Sequence, residues 1–475
     1  MFSSIEETVR FVRDAKVEMV DFKLVDLVGR WYHVTVPVSN FSKEIMTGGI
    51  GIDASSYIGY RKVHEGDMKM IPDYTSCFLD PFAELKTLSI VCDIVERDGA
   101  HYNRCPRNVA KRAVEYMATI QKGKAQFGLE IECYIFNDMR YASEINQAFY
   151  HVDSAEAFWN TGKGDSPNQG NKFRQGRGYH GTPPADRTYN IRSQMVKLVE
   201  GIGVPVQYHH HEVGGPCQVE ITIKHDSLVK AADAVLKVKY IIKNVAFQNG
   251  MVATFMPKPL YQEGGNAGHV HQSISDNGKS LFYDRKGYAG LSQTALYYIG
   301  GLLTHGRALC AMTNPSTNSY KRLVPGYEAP TNLCFATSNR TAGVRIPGFD
   351  KSPKGTRVEY RPPDSTGNAY LSLAAQLMAG LDGIENKIDA TEQGFGPYDV
   401  DITELSEEER AKIGELPTSL QYALDALADD YDFLLKGEVF NEDLVKTWIA
   451  HKRKFDVLPL QLRPHPYEFT MYHDV

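Results

Sequence analysis

Two hydrophobic periods take turns along this chain. The first residues, "MFSSIEETVRFVRDAKVEM", predict an amphipathic helix opened by a capping box, with Ser3 and Glu6 or Ser4 and Glu7 as the pair. The period then changes to two: "KVEMVDFKLVDLVGRWYHVTVP" alternates Val, Phe, Tyr and Thr on either side of Gly29, which predicts two strands and a turn. "TLSIVCDIVE" predicts another strand. The polar loop after it, "RDGAHYNRCPRN", sets an expected domain boundary near residue 103, dividing the chain into 1–103 and 104–475.

Beyond that loop, helical spacing runs through "NVAKRAVEYMATI", through 228–249 with Gly250 as a stop, and through "SQTALYYIGGLLTHGRALCAM" and "AYLSLAAQLMAGLDGIENKI". Strand patterns lie between them at 127–136, 206–224, 252–257, 267–274 and 356–361. Strict strand–helix alternation is missing, so the expected fold is α+β, with a curved antiparallel sheet packed by helices. Residues 160–186, rich in Gly, Pro and Asn, predict a long loop, and from Thr418 the tail reads as helical until "LRPHPYEF" ends it.

The charges on these strands change the picture. Arg357, Glu359 and Arg361 in "TRVEYRPPD", and Glu130 and Glu132 in "FGLEIECYIF", stand two residues apart, so each set shares one sheet face. Charges gathered on a sheet face need a partner, commonly a metal ion or a polyanionic substrate. In "HHHEVGGPCQVEITI" a turn at Gly214, Gly215 and Pro216 folds Glu212 and Glu220 into a hairpin that can meet the first two glutamates. Four carboxylates together suit a hard cation, Mg²⁺ or Mn²⁺. Either pair alone is equally consistent with a solvated strand face. His269 and His271 also share a face, although a lone H-x-H is more often structural; of His209, His210 and His211, alternation lets at most His209 and His211 point the same way.

A net charge of −6 leaves no basic footprint for nucleic acid or an anionic membrane, so an anionic ligand must be met by local arginines. They are concentrated at Arg322, Arg340, Arg345, Arg357 and Arg361, interleaved with Glu328, and beside a metal cluster they suggest phosphoryl transfer. There is no P-loop and no G-x-G-x-x-G following a strand, which argues against a P-loop or Rossmann nucleotide site. There is no apolar run of about 18 residues and no secretory leader. Seven scattered cysteines without a C-x-x-C pair fit a reduced cytoplasm.

Over essentially its full length the chain resembles type I glutamine synthetase, nearer the longer bacterial branch. The stretches that carry the resemblance are "NSYKRLVPGYEAP", "NRTAGVRIP", "RVEYRPPD" followed by "NAYL", "HHHEV" with its Q-x-E, and "KPLYQEGGNAGHVHQS". The resemblance implies an N-terminal β-grasp domain and a catalytic domain forming a funnel for ATP and glutamate. It further implies a dodecamer of two hexameric rings, each site completed by a neighbour's N-terminal domain. Glu132, Glu212 and Glu220 match ligands of one metal; Glu130, His269 and Glu359 match those of another.

By the same matching, Gln207, His271, Ser273, Arg340, Arg345, Lys354 and Arg357 fall at ATP positions, and Gly264, Gly265, Arg322, Glu328 and Arg361 at glutamate positions. Asp53, Asp67, Tyr179, Glu212 and Glu328 match the ammonium site, with Asp53, Glu328 and Arg340 as catalytic residues. The implied reaction is ATP-dependent formation of glutamine from glutamate and ammonia. The chain departs from the family pattern at Ala54, at Gly264 where Asn is usual, in "GYHGTPP", and at Gln207 where Glu is usual. Thr403 occupies the place of the tyrosine that adenylylated members carry, so that control is not expected; Tyr398 lies five residues earlier. The rivals are a γ-glutamyl ligase using methylamine or a polyamine, a metallohydrolase, and a pseudoenzyme; the last two sit poorly with the arginine set and the six intact ligands.

Overall fold

The computed structural model describes residues 2–161, 168–327, 329–350, 352–400, 402 and 405–475. Its first helix, α1 (Ile5–Asp14), divides the expected capping box between two serines. Ser4 Oγ accepts the Glu7 N–H at 3.1 Å, while the Ser3 N–H and hydroxyl donate to the Glu7 carboxylate at 2.7 and 2.6 Å. After it come β1 (Met19–Val25), β2 (Trp31–Pro37), α2 (Lys43–Gly48), β3 (Ile50–Asp53), β4 (Asp67–Pro72), β5 (Phe78–Leu79) and β6 (Thr87–Val95). The β1–β2 turn carries Gly29 at φ +90°, as its position between the two alternating runs requires. The sheet order is β2-β1-β6-β4-β3 with β5 beside β6, and β1 runs parallel to β6. Val12 of α1 and Met46 of α2 close its apolar face against Val20, Phe22, Met70 and Ile90.

The second unit contains α3 (Pro106–Ile120), β7 (Lys124–Phe136), β8 (Asp138–Ser143), β9 (Ala148–Asp153), α4 (Tyr189–Gly201), β10 (Val206–His211), β11 (Gln218–Asp226) and α5 (Leu228–Gln248). Then come β12 (Val252–Thr254), β13 (Val270–Asp276), β14 (Lys279–Ser280), α6 (Gln293–Thr304), α7 (Gly306–Thr313), α8 (Ser319–Arg322), β15 (Asn332–Thr337), β16 (Ala342–Ile346), β17 (Val358–Tyr360) and α9 (Ala369–Asn386). Nine strands form one sheet in the order β10-β11-β7-β13-β17-β16-β15, with β12 on β7 and β14 on β13. One face, including Leu129, Ile131, Cys133, Val219 and Ile221, packs on the helices in a single core with Ile241, Leu373 and Leu377. Helix α9 is buried continuously from Ala369 to Gly383, consistent with its nearly all-round apolar pattern.

The expected antiparallel sheet has one exception: β15 and β16 are parallel. The link between them doubles back through Ser338 at φ +62°, and Asn339 Nδ2 donates to the Val400 carbonyl at 2.9 Å. The single helix expected over 292–312 breaks at His305. The tail does not end at "LRPHPYEF": Pro466 opens another helix there, capped by His465. Strands β3, β4, β8, β9, β15 and β16 were not legible as strands.

Buried ion pairs tie the two units together. Arg107, in the first turn of α3, reaches Asp73 at 2.7 Å, Asp93 at 2.9 Å and Asp233 of α5 at 3.1 Å. Asn368 Nδ2 donates to the carbonyls of Asp26 and Leu27, 3.1 Å each.

His305 joins three helical segments, with Nε2 3.0 Å from Asp382 and Nδ1 2.9 Å from Asp430. Burial alone would lower its pKa, but the hydrogen bonds to the two aspartates outweigh burial and raise it to about 9. A raised histidine stabilises the fold fully below its unfolded pKa of about 6.5 and loses that contribution as pH rises through about 9. His305→Gln is therefore expected to destabilise the protein by about 2 kcal/mol at pH 6 and by much less at pH 9.5. Urea unfolding at the two pH values measures this; an equal loss at both would place the effect in packing instead.

Candidate active site

Strand register assembles the polar face of the large sheet. Glu132 on β7 lies opposite Glu220 on β11, and Glu220 lies opposite His210 on β10. On the other flank of β7, His271 on β13 lies between Gly128 and Glu359 of β17, and Glu359 lies opposite Arg345 of β16. From these rows Glu132, Glu220, His210, Glu359 and Arg345 line one cavity of about 150 Å³. Glu130, Glu132, Glu212, Glu220, His269 and Glu359 all line it, with Arg322, Arg340, Arg345, Arg361, Tyr179, Gly264 and Gly265.

One half of the cavity is electrostatically balanced. Glu359 is fully buried between Arg345 and Arg361, which both contact its carboxylate, and His269 Nδ1 stands 4.0 Å away. Burial works to raise the Glu359 pKa, but Arg361 and the neighbouring histidines hold it down at about 2. Glu130 is also held low against its burial, by His271 Nε2 at 2.8 Å and His269 Nδ1 at 2.9 Å. Burial lowers His269 to about 4, helped by Arg361. A neutral imidazole beside two carboxylates is a competent ligand set.

The other half is short of positive charge. Burial first, then repulsion from neighbouring carboxylates, lifts Glu132 to about 7 and Glu212 and Glu220 to about 8, Glu220 being pushed by Glu130 and Glu359. Glu132 Oε2 accepts the Ala267 N–H at 2.8 Å and Gln218 Nε2 at 3.2 Å. Two sets of donor atoms lie mutually within 4.8 Å: Glu130, His269 and Glu359 in one, and His210, Glu212 and Glu220 in the other. Oxygen-rich donors with uncompensated negative charge fit a divalent cation. Glu132, matched to the second set from sequence, lies outside that close group, and His210 stands in it.

The run His209, His210 and His211 is ambiguous in the sequence, and His210 is the one that joins the cavity. His209 and His211 face the core: His211 Nε2 meets Glu156 at 2.9 Å, and Arg192 Nε donates to His209 Nδ1 at 3.2 Å. Counting back by two from Glu212 would have placed Tyr208 and His210 on the cavity face. Gln218 was missed; its amide donates to Glu132, to the Gly265 carbonyl at 3.0 Å and to Asn266 Oδ1 at 3.1 Å, fixing the glycine loop. That packing accounts for Gly264. A Cβ there would lie 2.6 Å from Val213 Cγ1 and 2.8 Å from Gln218 Oε1.

Gln207, His271, Ser273, Lys354 and Arg357 do not line the cavity. His271 and Arg357 form a chain behind Glu130, Arg357 Nε donating to His271 Nδ1 at 3.2 Å; Gln207 sits at a register shift in β10, and Lys354 is exposed. Asp53 and Asp67 pair across β3 and β4 on the small sheet; both are exposed, and neither lines this chain's cavity. Glu328 and Thr403 lie outside the described residues.

Known proteins match at every level. The family model described as "Glutamine synthetase, beta-Grasp domain" covers residues 16–97, and "Glutamine synthetase, catalytic domain" covers 103–472. A glutamine synthetase of Frankia alni is 47% identical over 480 residues, spanning 100% of both chains. One from Streptomyces coelicolor is 46% identical over 477 residues, also spanning 100% of both. Among solved structures, a Plasmodium falciparum glutamine synthetase superposes with TM-score 0.90 at 28% identity, covering 99% of each chain. A structure titled as a GmaS/ADP complex superposes with TM-score 0.82 at 25% identity, covering 98% of this chain and 99% of that one. With both domain models matched in order and close relatives aligned end to end, this chain belongs to the glutamine synthetase family.

Proposed function

We infer that this chain is an ATP-dependent ligase that joins ammonia to the side-chain carboxylate of L-glutamate, giving L-glutamine through γ-glutamyl phosphate. The observation that carries this reading is the pairing, around one cavity, of two carboxylate–histidine donor sets with four arginines. A metallohydrolase acting on a neutral substrate has no use for such a phosphate clamp.

Glu130, His269 and Glu359 would hold one cation and Glu132, Glu212 and Glu220 another, with His210 in reach of the second. Bound Mg²⁺ or Mn²⁺, two or more per site, would neutralise charge on the phosphoryl group in transfer. Arg340 and Arg345 carry positive charge to the same group, with Gln207, His271, Ser273, Lys354 and Arg357 toward ATP. Gly264, Gly265, Arg322, Glu328 and Arg361 receive glutamate. Its side-chain carboxylate attacks the γ-phosphorus, ADP departs, and the acyl phosphate is exposed to the nucleophile. Ammonium, held by Glu212, Tyr179, Asp53, Asp67 and Glu328, gives a proton to Asp53; ammonia displaces phosphate from the acyl carbon.

The β-grasp unit is assigned to 1–103 and the catalytic unit to 104–475, in a cytoplasmic dodecamer of two hexameric rings. That Asp53 and Asp67 do not line their own chain's cavity supports a site shared with a neighbouring chain. Oligomers co-assembled from inactive Asp53→Ala and Glu359→Gln chains are expected to recover about a quarter of wild-type activity, because random mixing rebuilds that share of the sites. No recovery would place Asp53 and Glu359 in the same chain's site.

Ammonium is a cation at neutral pH, so the negative charge of Asp53, Asp67 and Glu328 favours it over a bulkier amine. ADP release in the presence of glutamate is expected to show kcat/KM for ammonium at least about tenfold above methylamine. Equal use of methylamine or a polyamine would make the chain a γ-glutamyl-amine ligase instead.

A further inference from the structure

We propose that His180 is a specificity-determining positioning residue, holding the Tyr179 ring as the wall that limits the size of the attacking amine. The inference rests on the reading of Tyr179 as a nucleophile-side residue. His180 itself stands where the family pattern has a different residue, in "GYHGTPP".

The segment 178–180 runs alongside the end of β10 and the residues after it. The Gly178 N–H donates to the Val213 carbonyl and the His180 N–H to the His211 carbonyl, each at 3.0 Å. This approach needs glycine at 178, where a Cβ would lie 2.5 Å from the His211 ring and 2.6 Å from the Glu212 carbonyl. His180 follows at φ +54°, in the left-handed region. For a residue with a Cβ that conformation is costly, and it persists only where the surroundings impose it.

What the backbone gains there is an aromatic cluster. His180 stacks on Tyr179 with ring centroids 4.0 Å apart and planes 15° from parallel. It meets His210 edge to face at 4.7 Å, and Tyr179 meets the same His210 ring at 5.4 Å. The three rings therefore brace one another in a triangle. Tyr179 and His210 line the cavity while His180 stands outside it, so His180 supports the wall without touching its contents. Arg340 lines the same cavity and biases the Tyr179 phenol electrostatically. Tyr179 is thus biased at its hydroxyl by an arginine and held on its ring face by His180. Without the ring-face contact, a half-exposed tyrosine can swing toward solvent and admit a methyl group.

The test is ADP release by the intact, Mg²⁺-supplied oligomer with glutamate and either ammonium or methylamine. His180→Ala is expected to raise the methylamine-to-ammonium ratio of kcat/KM by roughly threefold to tenfold, the size of one lost aromatic contact. KM for glutamate and for ATP should stay as in the wild type, as should the Tm. His180→Phe keeps the stacked ring without its nitrogens and is expected to restore wild-type selectivity. An unchanged ratio in His180→Ala would overturn the proposal, and so would a His180→Phe variant as relaxed as His180→Ala, since the imidazole nitrogens would then be the active feature. Tyr179→Ala provides the separate control: if it leaves the ratio unchanged, the nucleophile-side reading of Tyr179 falls, whereas a relaxed Tyr179→Ala beside a normal His180→Ala overturns only the role of His180.

Discussion

Glu359→Gln is expected to abolish turnover and to weaken the fold at the same time. The carboxylate is fully buried and in contact with both Arg345 and Arg361. A glutamine of the same shape leaves two guanidinium groups facing a neutral amide in a site with little water. Removing one member of a buried ion network costs about 3–5 kcal/mol, because the charges left behind lose a buried counter-charge. The same change removes a ligand oxygen from the Glu130, His269 and Glu359 set, so Mn²⁺ titration should show one strong site fewer. Calorimetric titration and urea unfolding in EDTA measure the two effects; a variant as stable as wild type without metal would mean that the two arginines find other counter-charges.

The second acidic set should answer in the opposite direction. Glu220 lies opposite Glu132 in the sheet register and close to Glu212, and it is pushed up by burial and then by the charges of Glu130 and Glu359. Thr222 donates to Glu220 at 2.6 Å and His210 stands 3.5 Å away, which only partly offsets the crowding. Glu220→Gln relieves like-charge repulsion and is expected to stabilise the metal-free protein by about 1 kcal/mol. It should still lower activity about a hundredfold or more, since a ligand charge is gone. Wild-type protein should gain Tm on adding Mn²⁺, and Glu220→Gln should gain much less. A metal-free Glu220→Gln variant less stable than wild type would show that Glu220 is held by bonds worth more than the repulsion it suffers.

Period-2 spacing made Glu130 with Glu132, and Arg357 with Glu359 and Arg361, visible as shared sheet faces, because side-chain alternation is local and survives in any sheet. Long amphipathic or apolar runs such as α5 and α9 were equally plain. The strands β3, β4, β15 and β16 were not, being short and held by partners distant in sequence rather than by their own pattern.

The chain's own sequence determined the two-unit α+β architecture, the ligand residue types and the arginine-rich segment, since each depends on local periodicity or on motifs of contiguous residues. Tertiary structure decided which face of β10 meets the cavity, after which alternation places His210 there with Glu212, and it decided that Gln218 packs where a side chain at 264 would sit. It also decided that one acidic set is neutralised by Arg345 and Arg361 while the other is left repelling, and that Asp53 and Asp67 do not line the cavity of their own chain. These depend on cross-strand register and on burial, which a local pattern along one strand does not encode.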